Sequence, residues 1–348
     1  MSANRFLVFR IQCIPDLGQF LYGKGRGMGS HVFRAVDLWA YCRHPLLTAR
    51  FYRELGYLPS IGLPDTYNEK ILWRKIFDRN PLIGTLSDKL QAKQYVLETC
   101  PDIKTAEVLW SGSRAEDIPE ELLQDNVVVK TNHGSGFNIF VQKQEVDRPG
   151  LNRKVNRWLR HHPYGRKSGE WGYRPVQPRV YVERMLCTET QAEPVQLNFS
   201  TFAGRPVMAL VMVGAVHGPR RAGIFAADGH RLAGTPHHFL RQDQQLPQDF
   251  ELPQSVHQAA ACAASLGEQL DYARIDFLSL EDQLYASEIT FYTLGGYATY
   301  TDPETERLLS RAWDLRQSWF MASPGNGWRK TYAQHLHAAL SEPAGSVG

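Results

Sequence analysis

Apolar positions recur along this chain with two periods, one helical and one strand-like, and their order sketches its elements. Residues 32–55 carry helical spacing interrupted at His44-Pro45. Residues 67–77 place apolar side chains at 67, 71, 72 and 76, the single stripe of an amphipathic helix. A further helix is expected over 87–96, with Ser87 as N-cap. Residues 126–141 then read as strand, Gly/Ser loop, strand. After it come a basic helix over 151–161, a Gly/Pro-rich loop over 163–178 and a strand over 179–186. Strands over 195–202 and 207–213 form a hairpin at Ala203-Gly204. A helix over 253–270 precedes strands over 272–280 and 284–290, joined at Glu281-Asp282. Helices over 303–320 and 328–340 close the chain, and no internal repeat appears.

Composition narrows the class. The 348 residues are 43% hydrophobic and 22% charged, as in a globular protein with room for two or three lobes. The net charge of +3 gives no argument for a nucleic-acid partner. Its distribution is uneven: residues 1–60 carry eight Lys/Arg against three acids, and residues 151–184 carry nine against Glu170 and Glu183. Such runs point to anionic ligands, to a peripheral membrane contact through the basic N-terminus, or to a solvated face. Gly23-Lys-Gly-Arg-Gly-Met-Gly-Ser30 fits neither a dinucleotide fingerprint nor a P-loop and reads as a loop. Five scattered cysteines without a C-x-x-C pair suit a reducing compartment. With no signal peptide and no apolar run of spanning length, a cytoplasmic protein is expected.

Two segments carry candidate chemistry. In Val129-Lys-Thr-Asn-His-Gly-Ser-Gly136 an ammonium group ends a strand and is followed by a nearly side-chain-free turn. Backbone N–H groups of such a turn make an anion-binding concavity, and Lys130 adds a point charge. An ordinary hairpin remains the other reading. His133 is either a general base or a capping donor. In Ala273-Arg-Ile-Asp-Phe277 and Ala286-Ser-Glu-Ile-Thr290, adjacent strands each present a carboxylate, Asp276 and Glu288. Paired hard oxygens suit Mg²⁺. Asp276 lies in an apolar run, so it needs a metal or a partner such as Arg274. His161-His162 and His237-His238 lack zinc-site spacing.

The order of these parts resembles the ATP-grasp superfamily, and within it the branch named after the teichuronopeptide biosynthesis protein TupA. Tyr67-Asn-Glu-Lys-Ile-Leu-Trp73, Asp78-Arg-Asn-Pro81, Asp88-Lys89, the 129–136 loop, Ser168-Gly-Glu-Trp171, Arg274-Ile-Asp276 and Glu288-Ile-Thr-Phe291 carry the resemblance over roughly residues 60–320. It implies an α+β ATP-grasp fold, two α+β lobes clasping ATP behind a helical N-terminal extension. The implied division is 1–60 as a basic, aromatic extension and 61–122 as a helical region. A small lobe (123–186), a large lobe (187–322) and a C-terminal helix and tail (323–348) follow. Lys89 and Lys130 would contact phosphates, and Gly134, Ser135 and Gly136 would fold over them. Glu183, with Arg184, Met185 and Leu186, would form the adenine hinge, and Glu189 would take the ribose. Asp276, Glu288 and Thr290 would hold Mg²⁺, with Arg274 stabilising charge at the transferring group. Glu170 and Trp171 are candidate second-substrate contacts, a buried tryptophan in a lid being the other reading of Trp171. The chain has Gln196-Leu-Asn198 where the branch commonly has Asp-Tyr-Lys, so Arg220 or Arg221 would supply the missing cation. Tyr292-Thr-Leu-Gly-Gly296 replaces the usual Pro-Gly.

The expected function is Mg-ATP-dependent joining of a carboxylate to an amine through an acyl phosphate, on a sugar acid or amino acid of surface-polysaccharide synthesis. The basic 151–184 segment is compatible with an acidic acceptor. Phosphotransfer to a carbohydrate and nucleotide binding without catalysis are alternatives. A glycosyltransferase is disfavoured because no two aspartates stand two apart.

Overall fold

The computed structural model describes residues 30–124, 126–142, 146–186, 194–214, 219–237 and 244–342. The glycine-rich stretch before Ser30, and Cys187, Glu189 and His238, lie outside these residues. The described strands are β1 (Lys104–Thr105), β2 (Val108–Gly112), β3 (Val127–Thr131), β4 (Asn138–Val141), β5 (Val180–Arg184), β6 (Val195–Phe202), β7 (Arg205–Val213), β8 (Arg221–Ala226), β9 (Ala273–Leu280) and β10 (Gln283–Thr290). They form a six-stranded sheet, β1-β10-β9-β6-β7-β8, and a four-stranded sheet, β2-β5-β3-β4. Together with the helices they make the expected two-sheet α+β architecture. Among the described residues no helix is long and apolar enough to cross a membrane.

Alternation sets which face of each sheet meets the cleft. In the large sheet, Leu197 and Phe199 of β6 and Ile275 and Phe277 of β9 are fully buried in the main core, with Ala259, Ala263 and Leu266 of the helix Val256–Gly267. Their sequence neighbours Gln196, Asn198, Arg274 and Asp276 therefore point to the other face. In the small sheet, Val127, Val129, Val180 and Val182 pack in a second core with Leu151 and Val155 of the helix Arg148–Arg160. Val128, Lys130, Tyr181 and Glu183 face away from it.

Turn chemistry fixes the register. Ala203 (φ 45°) and Gly204 (φ 74°) both occupy the left-handed region, as a two-residue hairpin between twisted strands requires. Their amides donate to the carbonyls of Leu270 (3.0 Å) and Gly267 (3.1 Å), seating the turn on the end of a helix. Glu281 (φ 49°) and Asp282 (φ 60°) repeat the arrangement between β9 and β10.

Several expectations change. The helix Tyr67–Ile76 is buried on every side rather than amphipathic. Its charged residues find partners inside. Arg74 pairs with Asp271 at 2.6 Å and lies over the Trp313 ring at 4.5 Å. Lys70 donates to the carbonyls of Ser310 (2.7 Å) and Trp313 (2.8 Å), and Lys75 to that of Gly295 (2.7 Å). Thr66 and Glu69 close a capping box at its start, a device worth about 1 kcal/mol. Ser87 does not cap the next helix; Asp88 does, accepting from Leu90 N at 2.9 Å, and the helix runs Lys89–Thr99. The helix expected over 303–320 stops at Ala312. There the Trp313 indole turns inward to donate to Asp271 (2.8 Å), and Asp314 caps a new turn by accepting from Arg316 N (3.0 Å). The segment 61–122, expected to be helical, also contributes β1 and β2.

Candidate functional site

The polar faces of the two sheets enclose two adjoining cavities of about 410 Å³ and 1010 Å³. Ser135, Asn198, Asp276 and Glu288 line both, so these residues stand at the junction.

The smaller cavity holds the lysines. Lys89 and Lys93 lie one turn apart on one helix, and Lys130 comes from β3. Glu183 receives Lys130 in a close ion pair and Lys93 at 3.1 Å. Burial would raise the Glu183 carboxyl, but Lys130 and Lys93 outweigh it and hold it below its ordinary value. Burial lowers the Lys93 ammonium, with Glu183 opposing. At the end of β5, beside Arg184 to Leu186, the Glu183 carboxylate anchors the lysine cluster. Lys93 was not foreseen, although its i+4 spacing from Lys89 was a usable signal. Arg184, Met185 and Leu186 line the same cavity with Val128, Tyr181 and Leu278. The amides of Arg184 and Met185 are engaged by the carbonyls of Glu107 (2.9 Å) and Asn126 (3.0 Å).

The loop after β3 closes one wall. Asn132 is buried and saturated: its Nδ2 donates to Asp88 (2.9 Å) and to the Gln177 carbonyl (2.9 Å), and its Oδ1 accepts from Arg179 N (2.7 Å). Lys89 donates to the Gly134 carbonyl at 2.6 Å and pairs with Glu288 at 3.1 Å, tying the loop to the large sheet. Gly134 sits at φ +79°, where a Cβ would lie 2.8 Å from the Phe137 ring. Only glycine fits there. The His133 ring is buried among Phe137 and His162, and neither nitrogen has a hydrogen-bond partner among the described residues. Burial outweighs the nearby Trp158 backbone and pushes its pKa down to about 4. That neutral, enclosed ring fits a packing role.

At the junction, Arg274 clasps Asp276 with two bonds, Nε to Oδ1 (2.7 Å) and Nη2 to Oδ2 (2.6 Å). Burial raises the Asp276 carboxyl, with Arg274 pulling it back, to about 6. Glu288 faces Asp276 across the strand pair, and Thr290 faces Arg274, its hydroxyl 3.4 Å from Nη2. A β-bulge between Ala286 and Glu288 produces this register. Burial would raise Glu288, but Lys89 and Arg274 hold it below its ordinary value. Among the described residues no group of three or more His, Cys, Asp or Glu could hold a metal. Two facing carboxylates with a neighbouring hydroxyl still fit Mg²⁺, which takes one or two protein carboxylates and completes its shell with waters and phosphates.

The larger cavity extends from Arg274 and Thr290 towards Tyr164 and Glu170. Glu170 lies 4.0 Å from the buried Lys75. Burial shifts both towards neutrality, raising the carboxyl and lowering the ammonium to about 8. Trp171 lines neither cavity. It is buried in the main core, its indole directed at the Arg74 carbonyl (3.4 Å) and Arg79 over its ring at 5.2 Å. Arg220 lines both cavities. Arg221 lines neither: at the start of β8 it pairs with Val213 of β7, one residue out of phase with Arg220.

The chain is similar to several solved ligases. It is 17% identical to D-alanine–D-alanine ligase from Bacillus anthracis complexed with ATP, over 66% of this chain and 65% of that one, with a TM-score of 0.38. ATP-grasp ligase PsnB complexed with minimal precursor gives 11%, 64%, 60% and 0.35. Macrocyclase MdnC from Microcystis aeruginosa, bound with precursor peptide MdnA, gives 11%, 68%, 64% and 0.37. The chain thus covers less than two thirds of the length of each of these three. No curated protein matches it in sequence. The sequence pattern of the TupA-like ATPgrasp family matches residues 69–313, more than half of the chain, and the protein belongs to that family.

Proposed function

We propose that the protein is a Mg-ATP-dependent carboxylate–amine ligase acting on a sugar acid or amino acid in surface-polysaccharide synthesis, within the cytoplasm. The observation that carries this reading is the meeting of Asp276, Glu288 and Arg274 where a lysine-lined cavity opens into a second, larger one. A phosphoryl donor on one side and an acceptor on the other would share that point.

Lys89, Lys93 and Lys130 would hold the triphosphate, with the Gly134–Gly136 turn lying over it. The slot of Val128, Tyr181 and Leu278 would take the base. Asp276 and Glu288 would hold Mg²⁺, which supplies charge neutralisation at the γ-phosphoryl. The acceptor carboxylate attacks that phosphorus and ADP leaves; the amine then attacks the acyl carbon and phosphate leaves. Arg274, which lines the larger cavity and clasps Asp276 at the junction, would stabilise the charge that builds in each step. Arg220 would supply the cation missing at 196–198.

Incubating the protein with Mg-ATP and paired uronic or amino acids and amines tests the reading. One amide formed per ADP and phosphate released supports it. ADP released with a phosphorylated alcohol, and no amide, would replace ligation with phosphotransfer.

A further inference from the structure

The two cavities differ in how their charges are compensated. Around the smaller one, every lysine has a carboxylate: Lys89 has Glu288, and Lys93 and Lys130 share Glu183. The carboxylates of the larger cavity are likewise taken, Asp276 by Arg274, Glu288 by Lys89 and Glu170 by Lys75. Its outer cations are not. Arg160, Arg166, Lys167 and Arg220 all line the larger cavity and are exposed. No ion pair joins any of the four to a carboxylate among the described residues. Arg50, on the same wall, is spent on Glu54 (3.8 Å) and on the Tyr297 ring (4.9 Å).

This is not the general basicity of the 151–184 stretch. Arg153, Lys154 and Arg157, on the same helix as Arg160, do not line the cavity. Arg160, Arg166 and Lys167 come from the end of that helix and the following loop, while Arg220 precedes β8 on the other lobe. Four uncompensated charges from two lobes converge on one concavity of about 1010 Å³. A cleft lined by one sign of charge focuses its field and draws in counter-ions. Guanidinium forks also match carboxylate and phosphate oxygens bidentately.

We infer that the larger cavity binds a multiply anionic ligand, one bearing several carboxylates or phosphates besides the group that reacts at Arg274. The inference rests on the proposed ligase reading for its placement of the acceptor, but not for its test. Direct titration of the full chain with trigalacturonate, pyrophosphate and maltotriose, at low and high salt, reads it without turnover. At least one of the two anions binds tenfold or more tighter than neutral maltotriose and weakens with salt. Its affinity drops at least tenfold in R166Q/K167Q and, independently, falls in R160Q, while binding of a non-hydrolysable ATP analogue changes less than twofold. Trigalacturonate as the better ligand identifies carboxylates as the source of charge; pyrophosphate identifies phosphates. Equal binding of maltotriose, or anion binding unchanged in both variants, overturns the inference. A chain that binds these anions but forms no amide would overturn only the ligase reading.

Discussion

Glu288 stands opposite Asp276 because Ser287 is extruded as a bulge between β9 and β10. If the same sequence paired without the bulge, Ser287 would oppose Asp276, and Glu288 would fall against Ile275 on the core-facing side. The Ser287 hydroxyl donates to the Asp276 carbonyl at 3.0 Å, which pins the bulge in place. Two variants separate charge from placement. Glu288→Gln lowers the rate of ADP release by about 10²-fold. Deleting Ser287 removes the bulge but leaves Glu288 next after Ala286, still opposite Asp276, so activity is expected to stay within about tenfold of the parent. A loss of about 10²-fold in the deletion variant would show that the bulge itself, and not only the position of the carboxylate, is needed.

Lys93 should behave as a nucleotide ligand despite standing outside the motifs. Lys93→Met is expected to weaken binding of an ATP analogue about tenfold, roughly 1.4 kcal/mol. Glu183 then keeps Lys130 as its remaining cation partner. Isothermal titration checks this; unchanged affinity would reduce Lys93 to a structural counter-ion of Glu183.

The two glycines of the loop should respond differently. Gly134→Ala meets both a left-handed backbone (φ +79°) and the Phe137 and Tyr164 rings, at 2.8 and 3.0 Å. Gly136→Ala meets only the backbone term at φ +72°, with nothing within 4 Å. The backbone term alone is about 1 kcal/mol. Nucleotide affinity and thermal midpoint should both fall further for Gly134→Ala; equal losses would mean the rings yield freely.

Acid should loosen the loop through His133. Its folded pKa of about 4 lies below the ordinary 6.5, so between these values the unfolded chain binds more protons than the folded one. Stability from this group is complete above pH 6.5 and is lost as pH falls towards 4. His133→Gln should flatten that part of the stability–pH curve measured by urea unfolding at closely spaced pH values. A variant curve parallel to the parent's would show that the imidazole is not what titrates.

The junction was legible in the sequence because its signals are local. Lys130 and the glycines lie within seven residues, and strand alternation alone puts Arg274 with Asp276 and Glu288 with Thr290 on shared faces. Whether the two pairs face each other depended on the bulge, which no periodicity announces. The two readings of Trp171 could not be separated in the sequence, because an aromatic in a Gly-rich loop can be exposed or buried and only the fold shows this loop packing back onto the helix Tyr67–Ile76. That helix misled because five of its ten residues are polar, and only long-range partners such as Asp271 and Gly295 make their burial tolerable. β8 escaped notice because Arg221-Ala-Gly-Ile-Phe-Ala is short and carries a glycine.

The Lys89 ammonium is shared between the Gly134 carbonyl of the loop and the Glu288 carboxylate of the large sheet. The cleft's lysine side is thus an ion exchanger already loaded with counter-ions, and those counter-ions are side chains that cannot diffuse away. If the proposed nucleotide site is right, an arriving phosphate would displace Glu288 from Lys89 rather than fill a bare charge, and the displaced carboxylate would be freed at the spot where a divalent cation accompanying the nucleotide would need it. One exchange at Lys89 would then couple the arrival of the triphosphate to the readiness of its proposed metal ligand.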